Sequence, residues 1–137
     1  MVNINDLNTD FLDFIFLSID HGIDSIKDDD ELLVPFLIIS KDGDTSLKRF
    51  ATDKYEDSIR VAEEQLSSLP YTPDFALIVY DGYVTIAKKK YDAILVKAYD
   101  KTEQFGYIFA QRYSIADAKL ETLGNVALIE AIENSLK

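Results

Sequence analysis

The sequence predicts a single α+β domain. Its antiparallel sheet of five or six strands, a hairpin plus a meander, packs with about three helices in the order α-β-β-α-β-β-β-β-α. Three observations predict it. From residue 75 to residue 113, strand-type residues alternate in short runs cut by Asp81-Gly82, by Lys88-Lys89-Lys90 and by the 100–106 segment. Before and after that stretch, apolar residues recur at steps of three and four, the helical period. Between two further strand-type runs, Lys41-Asp42-Gly43-Asp44 is turn chemistry.

Taken in order, Asn8-Thr9-Asp10 supplies cap chemistry for a helix to about His21. Its apolar stripe is Phe11, Phe14, Ile15, Leu17 and Ile19, widened by Leu12 and Phe16. Gly22 then stands where a left-handed C-terminal residue belongs, with His21 in the last turn. The acidic run Asp28-Asp29-Asp30-Glu31 reads as a loop. A strand over 33–40 follows, with Pro35 marking an edge or entry position, and 45–51 returns as the second arm of a hairpin. Asp53 with Glu56 three residues on is a capping pair for the next helix. That helix carries Tyr55, Ile59, Ala62, Leu66 and Leu69 on one face, and Pro70 and Pro73 end it.

In the meander, Asp81-Gly82 predicts a tight two-residue turn between Tyr80 and Tyr83. From that register Phe75, Leu77, Val79, Val84 and Ile86 share one face with Ala93, Leu95, Lys97, Tyr99 and Phe109. Ala76, Ile78, Tyr80, Tyr83, Thr85, Asp92, Ile94, Val96, Ala98, Ile108, Ala110 and Arg112 share the other. Gly124-Asn125 then opens a final helix carrying Leu128, Ile129, Ile132 and Leu136. A sheet apolar on both faces needs a cover on each, whereas an antiparallel sheet commonly wets one. The element order is similar to the profilin-like and roadblock-type layout, a likeness of topology that covers most of the chain without a shared motif. It implies a binding or dimerisation module.

At 137 residues, 47% of them apolar and 28% charged, the chain fits one domain that buries about two thirds of its unfolded surface. No cysteine is present, which excludes disulfides, thiolate metal sites and a cysteine nucleophile. The first residues carry no basic segment, and Phe14-Ile15-Phe16-Leu17 is broken by Ser18 and Asp20. Neither a signal peptide nor a membrane span is expected, and the cytoplasm is the expected compartment. The net charge is −11, with nine acids and one base, Lys27, up to Glu31. That balance repels phosphate backbones and anionic lipid, so neither nucleic acid nor membrane is an expected partner.

His21 is the only histidine, so neither an imidazole metal site nor a Ser-His-Asp triad has its parts. The acids at 28–31 and the pair Asp42, Asp44 lack calcium-loop spacing. The five glycines stand singly at turns, so no phosphate cradle forms and no cofactor is expected. Lys88-Lys89-Lys90, with Lys48-Arg49 in another strand region, reads as a solvated turn that discourages edge pairing. The sharpest polar feature is Asp92 with Arg112 on the otherwise apolar second face, where they would meet diagonally as an ion pair. Gln111 and Tyr113 complete a candidate polar site at that sheet end.

The function expected first is a protein-binding or assembly module, a homodimer completing its core through Ile78, Tyr80, Tyr83, Ile94, Val96 and Ile108. The alternative is a small acidic inhibitor, such as an immunity protein against a basic toxin. An enzyme with a carboxylate and Arg112 pocket is the third reading, for which no acid/base pair can be placed.

Overall fold

One helix on each side closes an antiparallel sheet of six strands. The computed structural model describes residues 3–29, 33–117 and 119–136. After a 3-10 turn at Ile4–Asp6 come α1 (Thr9–Asp29), β1 (Phe36–Lys41), β2 (Asp44–Arg49), α2 (Tyr55–Ser67), β3 (Phe75–Ile86), β4 (Lys89–Asp100), β5 (Phe105–Ala116) and β6 (Lys119–Glu133). The strands lie in the order β2-β1-β3-β4-β5-β6. The α+β class and the antiparallel sheet agree with the sequence, while the described residues hold two helices rather than three. The last element among the described residues is a strand, where the profilin-like and roadblock-type layout has a closing helix.

Two cores sit on opposite faces. On one, α1 buries Phe11, Ile15, Ile19, Ile23 and Ile26 against alternate residues of the strands, among them Ile38, Val79, Ile94, Val96 and Phe109. On the other, Ala62 and Leu66 of α2 cover Leu37, Ile39, Ala76, Ile78 and Tyr99. Each aliphatic or aromatic side chain removed from water contributes about 1.5–3 kcal/mol. Both apolar faces are thus covered from within the chain.

Four expectations are corrected. First, α1 does not stop at His21. Gly22 is buried in the helix, where a side-chain carbon would lie 3.4 Å from Leu33 and 3.6 Å from Ile94 and Val79. Here the missing side chain lets helix and sheet approach, and Ile23 and Ile26 continue the stripe. Asp28 and Asp29 are therefore helical, while Asp30 and Glu31 lie outside the described residues.

Second, Asp81-Gly82 is no turn. Both continue β3, opposite Ile94 and Ala93. A side-chain carbon at Gly82 would meet Leu95 Cδ1 at 2.7 Å, so Leu95 packs into the space that glycine leaves. The turn falls at Ala87 and Lys88, with φ of 51° and 67°. That change in register inverts the faces of β4, because side chains alternate with a period of two. Leu77 now shares a face with Ala98, and Ile78 with Lys97.

Third, the 119–133 segment is a strand, not a helix. Two register shifts against β5, at Ile108/Phe109 and at Ala110/Arg112, break its alternation. Leu128 therefore packs on the α1 side and Ile132 on the α2 side, although they are four residues apart. Gly124, at φ 70°, takes the left-handed conformation inside the second shift.

Fourth, Asp53 and Glu56 make no capping pair: the N-cap of α2 is Lys54, without a side-chain bond. The Thr52 hydroxyl instead donates to the Lys54 carbonyl at 2.6 Å. His21, expected in a last turn, lies within α1, edge-on to the Phe36 ring, with Arg49 donating to its Nε2 at 3.1 Å.

Candidate functional site

The helices do not reach the far end of the sheet. The β3–β4 and β5–β6 hairpins run on past them, and Tyr83, Ile86 and Ile115 are exposed there. The register brings three of the expected polar residues to this end on one face. Asp92 stands opposite Tyr83 on β3 and Tyr113 on β5, and Gln111 stands opposite Ile94. Arg112 stands opposite Ala93 and so points to the other face. Its guanidinium carbon lies 4.9 Å from the Tyr91 ring centroid. The expected Asp92–Arg112 ion pair is therefore not formed, because the shifted turn put the two residues on opposite sides. Gln111 is buried and donates to the Gly124 carbonyl at 3.2 Å, which fills the gap that the register shift opens.

The residues proposed for an interface are likewise divided. Ile94 and Val96 belong to the core beneath α1, Ile78 to that beneath α2, and all three are 0% exposed. Ile108, opposite Lys97, lies on the α2 side, as does Tyr80. No continuous apolar surface joins the four isoleucine and valine residues. Tyr83 alone of the six is well exposed, at 58%.

What the far end of the sheet does assemble is a tyrosine and carboxylate pocket. Pro35 precedes β1, whose pairing with β3 ends at Phe36 and Val79. Beyond that point β3 has no strand partner on that side among the described residues, and Tyr55 from α2 takes the place of one. Its hydroxyl donates to the Leu33 carbonyl at 3.0 Å and accepts the Asp81 N–H. From the other direction, the Tyr113 hydroxyl donates to Asp81 Oδ1 at 2.8 Å. A cavity of about 330 Å³ opens beside them, lined by Tyr55, Asp81, Gly82, Tyr83, Lys90 and Asp92. At its mouth the Lys90 ammonium lies over the Tyr83 ring, 4.1 Å from the centroid. A second cavity of about 290 Å³, between the 33–35 and 50–53 segments, shares Tyr55 as its wall.

The electrostatics follow from burial. Desolvation holds the half-buried Asp81 carboxyl above the ordinary aspartate range, the Tyr113 hydrogen bond works against that, and the Asp92 charge adds to it. Burial pushes the Tyr55 phenol up to about 12, and burial with the Asp81 carboxylate raises Tyr113 further. Both phenols are neutral donors at ordinary pH, with no capacity to act as bases there. Neither Asp81 nor Asp92 has an ion-pair partner among the described residues. His21 does not line the cavity, and among the described residues no group of three metal-ligating side chains comes together.

Sequence reasoning missed Asp81, Tyr55 and Lys90. Asp81-Gly82 imitates a hairpin turn, and Tyr55 occupies an apolar helical position. One signal was present: an unbroken β3 would read Leu77, Val79, Asp81 on a single face, placing a carboxylate on an apolar side.

A different surface gathers charge. Asp13, Leu17, Asp20 and Asp24 fall at spacings of four, three and four on the outward side of α1, with Asp10 one turn before, and all are exposed. Leu17 is 63% exposed and the neighbouring Phe16 39%. None of these acids makes an ion pair among the described residues, whose salt bridges join Arg60 to Asp57 and Glu64, Lys97 to Glu63, and Lys101 to Asp74. Among the described residues no helix is long and apolar enough to cross a membrane. No family model, curated protein or solved structure matches this chain.

Proposed function

We propose that the chain is a protein-binding module that docks a basic partner on the outward face of α1. The observation that carries this reading is the exposed stripe Asp13, Leu17, Asp20, Asp24, with Asp10 and Phe16 beside it and no counter-charge from the described residues. The stripe spans twelve residues, about 17 Å of helix. Like charges three or four apart destabilise a helix by about 0.2–0.5 kcal/mol per pair. Asp24 also lies toward the C-terminal half, the end where the helix dipole favours cations. A cationic surface laid along α1 would relieve both costs, and Leu17 and Phe16 supply apolar contact between the charges. An immunity-type inhibitor holding a basic toxin is one form of this reading.

The test uses a capped Leu/Lys amphipathic peptide as the probe, with binding followed by calorimetry and by amide shifts. The triple variant Asp13→Asn, Asp20→Asn, Asp24→Asn is expected to bind about tenfold more weakly, while gaining thermal stability. Leu17→Ser is expected to weaken binding about threefold at unchanged charge. Shifts confined to residues outside α1, or equal loss on neutralising three acids elsewhere, would remove the reading.

A further inference from the structure

The pocket at the far end of the sheet is independent of the α1 stripe. It holds two carboxylates, one of them half-buried, beside Tyr55 and Tyr83, and no ion pair from the described residues neutralises either. Negative charge held away from water is costly unless a cation meets it. A second observation is independent of the acids: the chain's own Lys90 ammonium already lies over the Tyr83 ring at 4.1 Å. An aromatic face with carboxylates at its edge is the arrangement that selects a positive headgroup. Lys90 occupies the mouth without an ion pair to Asp92 or Asp81.

We propose that this pocket binds a single cationic headgroup, a guanidinium or primary ammonium, which takes the place of Lys90 on Tyr83 and is met by Asp92 and Asp81. Tyr83 supplies the stacking face, Asp92 the outer carboxylate, and Asp81 the inner one, held in place by Tyr113 Oη and Tyr55 Oη. Gly82, between Asp81 and Tyr83, lines the pocket with its backbone. Lys90 acts as a tethered competitor, so its removal strengthens binding. That sign separates a cation site from an anion or zwitterion site, in which Lys90 would be a ligand.

The experiment titrates the intact protein with methylguanidinium and with N-acetyl-arginine amide, reading backbone amide shifts at Gly82, Tyr83 and Asp92. Saturable shifts with a Kd on the order of 10 mM are expected, as befits one small headgroup. Equal binding of the two probes identifies a free small cation as sufficient, whereas tighter binding of the arginine amide identifies a residue carried on a chain. Lys90→Gln is expected to tighten binding about fivefold beyond the charge-matched control Lys48→Gln, and Tyr83→Leu to weaken it about fivefold. Asp92→Asn is expected to weaken it by a similar factor. Lys90, Tyr83 and Asp92 are exposed, so these variants keep their fold. Absence of saturable shifts at those amides, or Lys90→Gln binding no tighter than Lys48→Gln, overturns the proposal. So does preferential binding of inorganic phosphate.

Discussion

Tyr113 on β5 reaches over β4 to donate its hydroxyl to Asp81 on β3, at 2.8 Å. The bond spans three strands, and it fixes a half-buried carboxylate on the α1 side of the sheet. The Tyr113 ring itself belongs to the core beneath α1. Tyr113→Phe keeps the ring and deletes the donor, leaving Asp81 Oδ1 half-buried without Tyr113. A loss of about 1.5–3 kcal/mol is expected in urea unfolding, the size of a hydrogen bond to a charged acceptor. A variant as stable as the parent would show that Asp81 is solvated in place of being held.

The same carboxylate gives stability a definite pH dependence. Burial first, and Asp92 on β4 besides, raise the folded-state pKa of Asp81, with Tyr113 from β5 opposing. Tyr55 from α2 and Lys90 at the mouth complete the groups around it. A raised carboxyl pKa means that the folded state holds the proton more tightly than the unfolded chain. Stability from this group is therefore full below the unfolded pKa and is lost as pH rises through the folded one. Asp74 works oppositely, since the Lys101 hydrogen bond and the Asp42 N–H lower its pKa, and its contribution is lost as pH falls. Comparing Asp81→Asn with the parent cancels Asp74. The carboxamide keeps an oxygen for Tyr113, so the variant is expected to match the parent in acid. At neutral pH it is expected to melt about 2 °C higher. A difference that is flat or reversed across that range would contradict the assignment.

The β3–β4 turn is strained, because it is built from residues that rarely take its backbone conformation. Ala87 and Lys88 both have positive φ, at a cost of roughly 1–2 kcal/mol per residue for side chains that rarely adopt it. Asn and Gly are the residues that this two-residue hairpin favours. The double substitution Ala87→Asn, Lys88→Gly is expected to stabilise the protein by about 1–2 kcal/mol. Denaturant midpoints read this directly, and a destabilised double variant would place the turn elsewhere.

That turn also explains how far the fold was legible. The hairpin at Asp42-Gly43 and the helix α2 follow from local chemistry, because turn residues and apolar period agree there. At Asp81-Gly82 they conflict. The best hairpin dipeptide lies inside a strand, kept there by Leu95 packing over Gly82 and by two tyrosine hydroxyls on Asp81, contacts from β4, α2 and β5 that no local window contains. One misplaced turn moved Asp92 and Arg112 onto a common face and hid the pocket. In β6 the obstacle was different. Two register shifts interrupt the period of two, and Leu128, Ile129 and Ile132 then imitate a helical spacing.

Gly22 offers a test in which the two readings differ in sign. As a helix C-cap in the left-handed region, it would resist alanine, because a side chain is strained there. In the structure it lies inside α1, and a side-chain carbon would meet Leu33, Ile94 and Val79 at 3.4–3.6 Å, ordinary contact distances. Alanine in a helix interior is favoured over glycine by about 0.8–1 kcal/mol, through the entropy that glycine loses on folding. Gly22→Ala is therefore expected to stabilise by up to about 1 kcal/mol, less whatever the snug contact with Leu33 takes back. The measurement is the urea midpoint of the variant against the parent. A loss of more than about 1 kcal/mol would mean that α1 ends at His21 after all, with its second half and the cover over Val79 and Ile94 arranged in another way.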